Sequence, residues 1–280
     1  MSGFTRPELL ATPDWLAENL GRVDLRILDM RWRPDGSGSA TFAAGHIPGA
    51  VHLDWRTVFT ATVEGSNAPL LAPPDRLAGT MSRAGIGDGT TVVLYDDTLS
   101  YYAARAWWSL RAYGFESVRI LDGGYPAWVA GGHPIANGES AITNASFTPR
   151  ANARARLTTA DVRSLLGSAE AQFIDARAPA EFLGYEGNGR RLGHIPGAVN
   201  APVGTMHVPG LQRLRHPADL REALLRANVT RGRRLVCYDS SGASAAKLAW
   251  ILALLGYEDT AVYDGGWTEW GDRLDLPVDR

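Results

Sequence analysis

The chain states one pattern twice, at the scale of a domain. Gly45-His46-Ile47-Pro48-Gly49-Ala50-Val51 returns as Gly193-His194-Ile195-Pro196-Gly197-Ala198-Val199, and Leu121-Asp122-Gly123-Gly124 with Trp128 returns as Tyr263-Asp264-Gly265-Gly266 with Trp270. The second copy lies 142 to 148 residues after the first. That period is far too long for a solenoid and matches the roughly 100–150 residues of an ordinary domain, so the sequence predicts two homologous domains in tandem. With 280 residues, 45% of them hydrophobic, each copy has enough chain to bury a core.

Within each copy, short apolar runs recur in the same order. Leu25-Arg26-Ile27-Leu28-Asp29 matches Ala171-Gln172-Phe173-Ile174-Asp175; Thr91-Val92-Val93-Leu94-Tyr95 matches Arg234-Leu235-Val236-Cys237-Tyr238; Val118-Arg119-Ile120-Leu121 matches Thr260-Ala261-Val262-Tyr263. Runs of four or five residues, largely apolar on both faces, are what a central parallel sheet requires. After the middle run, Ala103, Ala106, Trp107, Leu110 and Tyr113 trace one helical face, and Ala245, Leu248, Ala249, Leu252 and Leu255 trace its twin. Gly114 and Gly256 stand where left-handed caps end such helices. Thr12-Pro13-Asp14-Trp15 reads as an N-cap with proline in the first turn, and Leu157-Thr158-Thr159-Ala160-Asp161 opens the second copy in a similar way. The expected class is α/β, with domains at 1–137 and 157–280. The aperiodic stretch 138–156 reads as a linker, with Ile142 and Phe147 as its anchors.

Composition removes several functions. A net charge of −2 gives no footprint for nucleic acid or for an anionic membrane. No run of ~18 apolar residues occurs, and the first residues lack a basic segment followed by an apolar one, so a soluble cytoplasmic protein is expected. The single cysteine, Cys237, excludes an internal disulfide and any paired-cysteine metal or redox site. No Gly-x-x-x-x-Gly-Lys phosphate loop is present; no metal and no cofactor are expected.

Asp-x-Arg, then Gly-His-Ile-Pro-Gly-Ala, then strand, loop and helix, then Asp-Gly-Gly-x-x-x-Trp, doubled from about Leu9 to Pro277, resembles the tandem-domain rhodanese family, the thiosulfate and 3-mercaptopyruvate sulfurtransferases. The resemblance implies two rhodanese-like domains, each a parallel five-stranded sheet flanked by helices, with only the second catalytic. It implies small anionic sulfur compounds as donors and cyanide or a thiol as acceptor. In that chemistry a loop thiolate takes the donor's sulfane sulfur as a persulfide, and N–H groups of the loop and of the following helix steady the anion.

The loop of this chain is Asp239-Ser240-Ser241-Gly242-Ala243-Ser244, closer to the Cys-Gly-Ser-Gly-Val-Thr of the mercaptopyruvate enzymes than to the Cys-Arg-Lys-Gly-Val-Thr of the thiosulfate enzymes. Its nucleophile position holds Asp239, as the first copy holds Asp96. Converging N–H donors favour the charged carboxylate, so an ionised Asp239 is expected to fill the anion site itself, a poor nucleophile toward sulfur. The expectation is a family member impaired or inactive in sulfur transfer and retained for binding an anion or other ligand, or for regulation. The alternative is a working enzyme, through Cys237 as sulfur carrier or through Asp239 in another reaction. Cys237 falls opposite Leu94 and reads as a core residue. By the resemblance, Arg177, with Arg190 or Arg191, faces a donor's anionic group; structural pairing is the other reading of Arg177. Tyr101 and Tyr102 are candidates for the cleft between domains. His46 and His194 sit in a turn common to both copies and read as structural, as do the Asp-Gly-Gly turns.

Overall fold

A computed structural model describes residues 3–138, 142–187 and 189–280. The first domain runs β1 (Leu10–Ala11), β2 (Leu25–Asp29), β3 (Ala50–His52), the antiparallel pair β4 (Thr60–Ala61) and β5 (Leu70–Leu71), then β6 (Thr91–Tyr95) and β7 (Val118–Leu121). Its main sheet is parallel, in the order β1-β7-β6-β2-β3. The second domain runs β8 (Arg156–Leu157), β9 (Ala171–Asp175), β10 (Val199–Asn200), β11 (Arg234–Tyr238) and β12 (Thr260–Tyr263). Read from its β8 edge, that sheet is β8-β12-β11-β9-β10, the same topology strand for strand. The apolar runs seen in the sequence are the three inner strands of each sheet, and two- or three-residue strands complete the edges.

The caps form as their residues predict. Thr12 Oγ1 accepts from Trp15 N at 3.1 Å, and Thr158 and Asp161 exchange bonds in a capping box. Gly114 and Gly256 both take positive φ just past the helices Tyr101–Ala112 and Ala243–Leu254. These two helices are buried far beyond one face. Apart from Ser244, every residue of Ala243–Leu254 is buried; in the first-domain helix only Tyr101, Tyr102 and Arg111 escape. Each helix lies between its own sheet and the other helix, so the facing layers merge into one core reaching from Leu28 and Trp107 to Leu248 and Cys237.

The Asp-Gly-Gly turns do more than connect strand to helix. Asp264 accepts from Leu71 N at 2.6 Å and from Arg105 Nη2 at 3.0 Å, both in the first domain, as well as from Arg156 Nε at 2.8 Å. Asp122 accepts from Leu214 N of the second domain at 3.3 Å. Each domain thus holds the other through the same motif. The linker lies along the first domain, with Ala145 N on Ser82 O, Arg150 N on Tyr113 O and Asn152 N on Ala112 O. Phe147 is buried against Phe115, whereas Ile142 is more exposed and lies against Gly85; residues 139–141 of this stretch lie outside the described residues.

Candidate functional site

At the C-terminal ends of β6 and β11 the chain leaves each sheet in a short loop that opens on an acid. The main chain places that acid. Trp267 N donates to Asp239 O at 2.7 Å, and Tyr125 N to Asp96 O at 2.9 Å. Gly266 (φ +55°) and Gly124 (φ +57°) lie so close to these carbonyls that a Cβ at either would stand within 3.0 Å of the oxygen. Glycine is required there for the approach as well as for the dihedral.

Both acids are gathered in by their own loops. Asp96 Oδ1 accepts from Thr98 N and Ser100 N, and Oδ2 from Tyr102 N and Ala103 N, at 2.9–3.0 Å. Asp239 Oδ1 accepts from Gly242 N at 2.6 Å; Oδ2 accepts from Ser244 N at 3.0 Å and from Ser241 Oγ at 3.3 Å. Gly242, at φ +80°, turns the chain into the helix, and Arg105 Nη1 of the first domain packs directly beneath it. The carboxyl of Asp239 is almost inaccessible. Burial pushes it above the ordinary carboxylate range, opposed by the loop N–H groups and by Arg105. The expected direction is therefore corrected: loss of water outweighs the donors that favour the charged form.

Above the loop, a cleft of about 390 Å³ is lined by Asp239, Ser240, Ser241 and Ser244 on one side and by Arg177 and Glu181 on the other. A second lobe of about 310 Å³ continues between Ser241, Ala243 and Ser244 and the first domain's Trp55, Arg56 and Tyr102. Tyr101 lines both lobes. A larger cleft of about 560 Å³ lies near Arg234, at the opposite end of β11. Ligands of open parallel sheets bind outside the carboxyl ends of the strands, so the loop cleft is the candidate site.

The predicted residues divide by placement. Arg177 reaches the cleft, but its Nε and Nη2 bond Asp175, Nη2 also bonds Gly193 O at 2.8 Å, and its charge is matched by that carboxylate. Arg31 repeats the arrangement with Asp29 and Gly45 O in the first domain. The structure does not bring Arg190 or Arg191 to the cleft. Arg191 turns its guanidinium onto the carbonyls of Trp270, Gly271, Arg273 and Leu276, and Arg190 lies exposed with its N on Asp272. Cys237 is fully buried between Ile174 and Val262 of the flanking strands, and burial pushes its thiol far up. His46 and His194 stack on Phe42 and Phe182, with each Nδ1 on that phenylalanine's carbonyl. Trp128 and Trp270 are buried, each donating Nε1 to a proline carbonyl at 2.8 Å.

Three cleft residues carried no sequence signal strong enough to be singled out. Glu181 follows the C-terminal end of β9, a location where ligand groups gather in such folds. Arg56 and Trp55 reach the site only through domain docking. Beneath Tyr101 lies a buried basic pair. Lys247 Nζ sits 3.8 Å from that ring's centroid with no hydrogen-bond acceptor among the described residues, and neither ring nitrogen of His207 has a partner there. Burial first, and Lys247 second, lower His207 to about 3.

The model of the rhodanese-like domain matches residues 12–131 and again 158–273. A 3-mercaptopyruvate sulfurtransferase of Escherichia coli is 34% identical over 276 residues, covering 95% of this chain and 96% of the relative. A putative thiosulfate sulfurtransferase of Mycobacterium tuberculosis is 36% identical over 282 residues, covering 98% of each. The crystal structure of the 3-mercaptopyruvate sulfotransferase SseA from Escherichia coli superposes with a TM-score of 0.82 at 29% identity, over 92% of this chain and 98% of that one.

Proposed function

We propose, from the premise that this chain belongs to the rhodanese family and has the tandem architecture of its sulfurtransferases, that its second-domain loop binds a small molecule without carrying sulfur, because Asp239 stands where the family's persulfide-forming cysteine would be. The observation that carries this reading is the filled cradle: the N–H groups of Gly242 and Ser244, which in the family's chemistry would steady a persulfide, donate instead to the carboxyl of Asp239. A carboxyl oxygen forms no transferable persulfide.

The other routes to activity lack support. Cys237 is fully buried, and a thiol pushed upward by burial supplies almost no thiolate. Catalysis by Asp239 on another substrate would need a second acid or base; Glu181 lines the same lobe, but the Asp239 carboxyl is buried and already accepts from Gly242 N, Ser244 N and Ser241 Oγ, which leaves it poorly placed to attack or to take a proton. The reading takes 1–137 and 157–280 as the two domains and the cytoplasm as the compartment; its one cysteine is unpaired, and no helix among the described residues is long and apolar enough to cross a membrane.

The test compares the natural chain with Asp239→Cys, using thiosulfate and 3-mercaptopyruvate as donors and cyanide as acceptor. Thiocyanate is expected at background for the natural chain and above it for the variant, whose intact mass after donor treatment should rise by one sulfur atom. Sulfur loading of the natural chain would overturn the proposal.

A further inference from the structure

The cleft carries opposite charges at its two ends, and neither has an ion-pair partner among the described residues. At the second-domain end, Glu181 lends Oε2 to a 3.3 Å bond from Ala178 N but has no ion-pair partner among the described residues; the nearby guanidinium of Arg177 is already matched by Asp175. At the first-domain end, Arg56 is exposed and its guanidinium makes no hydrogen bond or ion pair among the described residues. It lies over two aromatic faces, 5.6 Å from the Trp32 centroid and 5.9 Å from that of Trp55. The lobes holding these two groups adjoin at the domain boundary, where they share Tyr101, Ser241 and Ser244.

Between these ends the groove offers little to an anion. The loop N–H groups of Gly242 and Ser244 are taken up by Asp239, and Glu181 adds a second acid to the same lobe. A doubly charged oxyanion would meet Arg56 alone and be repelled at the other end. A purely cationic ligand would leave Arg56 unanswered. Complementarity at both ends needs both signs on one molecule, because a like charge at either end is repelled and a charge left unanswered adds nothing.

The geometry points to a small zwitterion as the ligand of this cleft, its cationic group set against Glu181, its acid group against Arg56, and its stem lying along the Tyr101 ring between them. The Tyr101 ring, which lines both lobes, offers the methylenes of that stem an apolar surface. This assignment rests on the reading that the loop binds rather than transfers sulfur, and it names the class of molecule bound. Arg56 and Glu181 become the residues that set specificity, one from each domain, which explains why a single domain would present only half of the recognition.

The experiment titrates the full chain by calorimetry with glycine, β-alanine, 4-aminobutyrate and 6-aminohexanoate, and with butylamine, butyrate and thiosulfate as single-sign probes. One member of the amino-acid series should bind at least about tenfold tighter than any single-sign probe, and the length preferred measures the span between the two charges. Glu181→Gln should abolish the preference over butyrate and leave that over butylamine; Arg56→Gln should do the reverse. The inference is overturned if butyrate or thiosulfate binds as tightly as the best zwitterion, if no zwitterion of the series binds, or if both variants behave as the natural chain. Sulfur loading of the natural chain would refute the preceding proposal while leaving these affinities as measured, and a lack of charge preference would refute this one with the transfer assay unaltered.

Discussion

Replacing Lys247 with methionine should stabilise this protein, and the gain should shrink as the pH is raised. The side chain is fully buried on the Ala243–Leu254 helix, with the Tyr101 ring, His207 and Asp96 as the aromatic and titratable groups around it. Burial lowers its ammonium from the ordinary 10.5 to about 7, against the pull of Asp96. Between those values the unfolded chain holds one proton more than the folded chain, so stability rises with pH by about 1.4 kcal/mol per pH unit. Below about 7 both states are charged and the full penalty applies, roughly 5 kcal/mol over the whole interval. Methionine removes the penalty at similar volume and forfeits an ammonium–ring contact of about 1–2 kcal/mol. Urea unfolding should therefore find Lys247→Met more stable by about 3 kcal/mol at about pH 7 and by only about 1 kcal/mol at about pH 9.5, where the folded lysine is already neutral and no ammonium–ring contact is left to lose. A variant no more stable at neutral pH, or a difference that does not change with pH, would refute the reasoning.

Gly266→Ala should cost more than about 3 kcal/mol, because it adds a clash with the Asp239 carbonyl to an unfavourable φ; Gly232→Ala, at φ +83° with open space around it, should cost only about 1–2 kcal/mol, and urea midpoints of the two variants separate the terms. Arg105→Met should destabilise by about 3 kcal/mol by leaving Asp264 with Arg156 as its one cationic partner, again read from urea unfolding. Cys237 should resist a chromogenic disulfide reagent in the folded chain and react at once in denaturant; rapid labelling of the native protein would contradict its place in β11.

The duplication and the inner strands were legible because both rest on local chemistry: apolar runs too short for helices, glycines that end helices, threonine and proline that begin them. The acid at position 239 was equally plain, since the strand Val236-Cys237-Tyr238-Asp239 aligns with Val93-Leu94-Tyr95-Asp96 without a gap; the loop beyond it is one residue shorter than its twin. What escaped was everything made by docking. The helix after each loop showed one apolar face in the sequence, yet its remaining positions, among them Arg105 and Lys247, are covered by the opposite domain. These two basic residues occupy equivalent places in the repeat, and only Arg105 finds an acid across the boundary. Asp122 and Asp264 looked like turn residues, because nothing local reveals that each reaches into the neighbouring domain. The arginines show a related limit: a guanidinium near a motif is free for an anion only when its own partners lie elsewhere, and here Arg177 lines the cleft with its charge matched by Asp175 while Arg191 turns to carbonyls away from it.

The start of the second-domain loop is pinned by its backbone, through the bond from Trp267 N and the close packing of Gly266. No atom of the residue-239 side chain takes part in that anchorage. The corner is consequently a fixed mount: the main chain holds its first residue in place, and the residue-239 side chain braces only the later turn, at Ser241, Gly242 and Ser244.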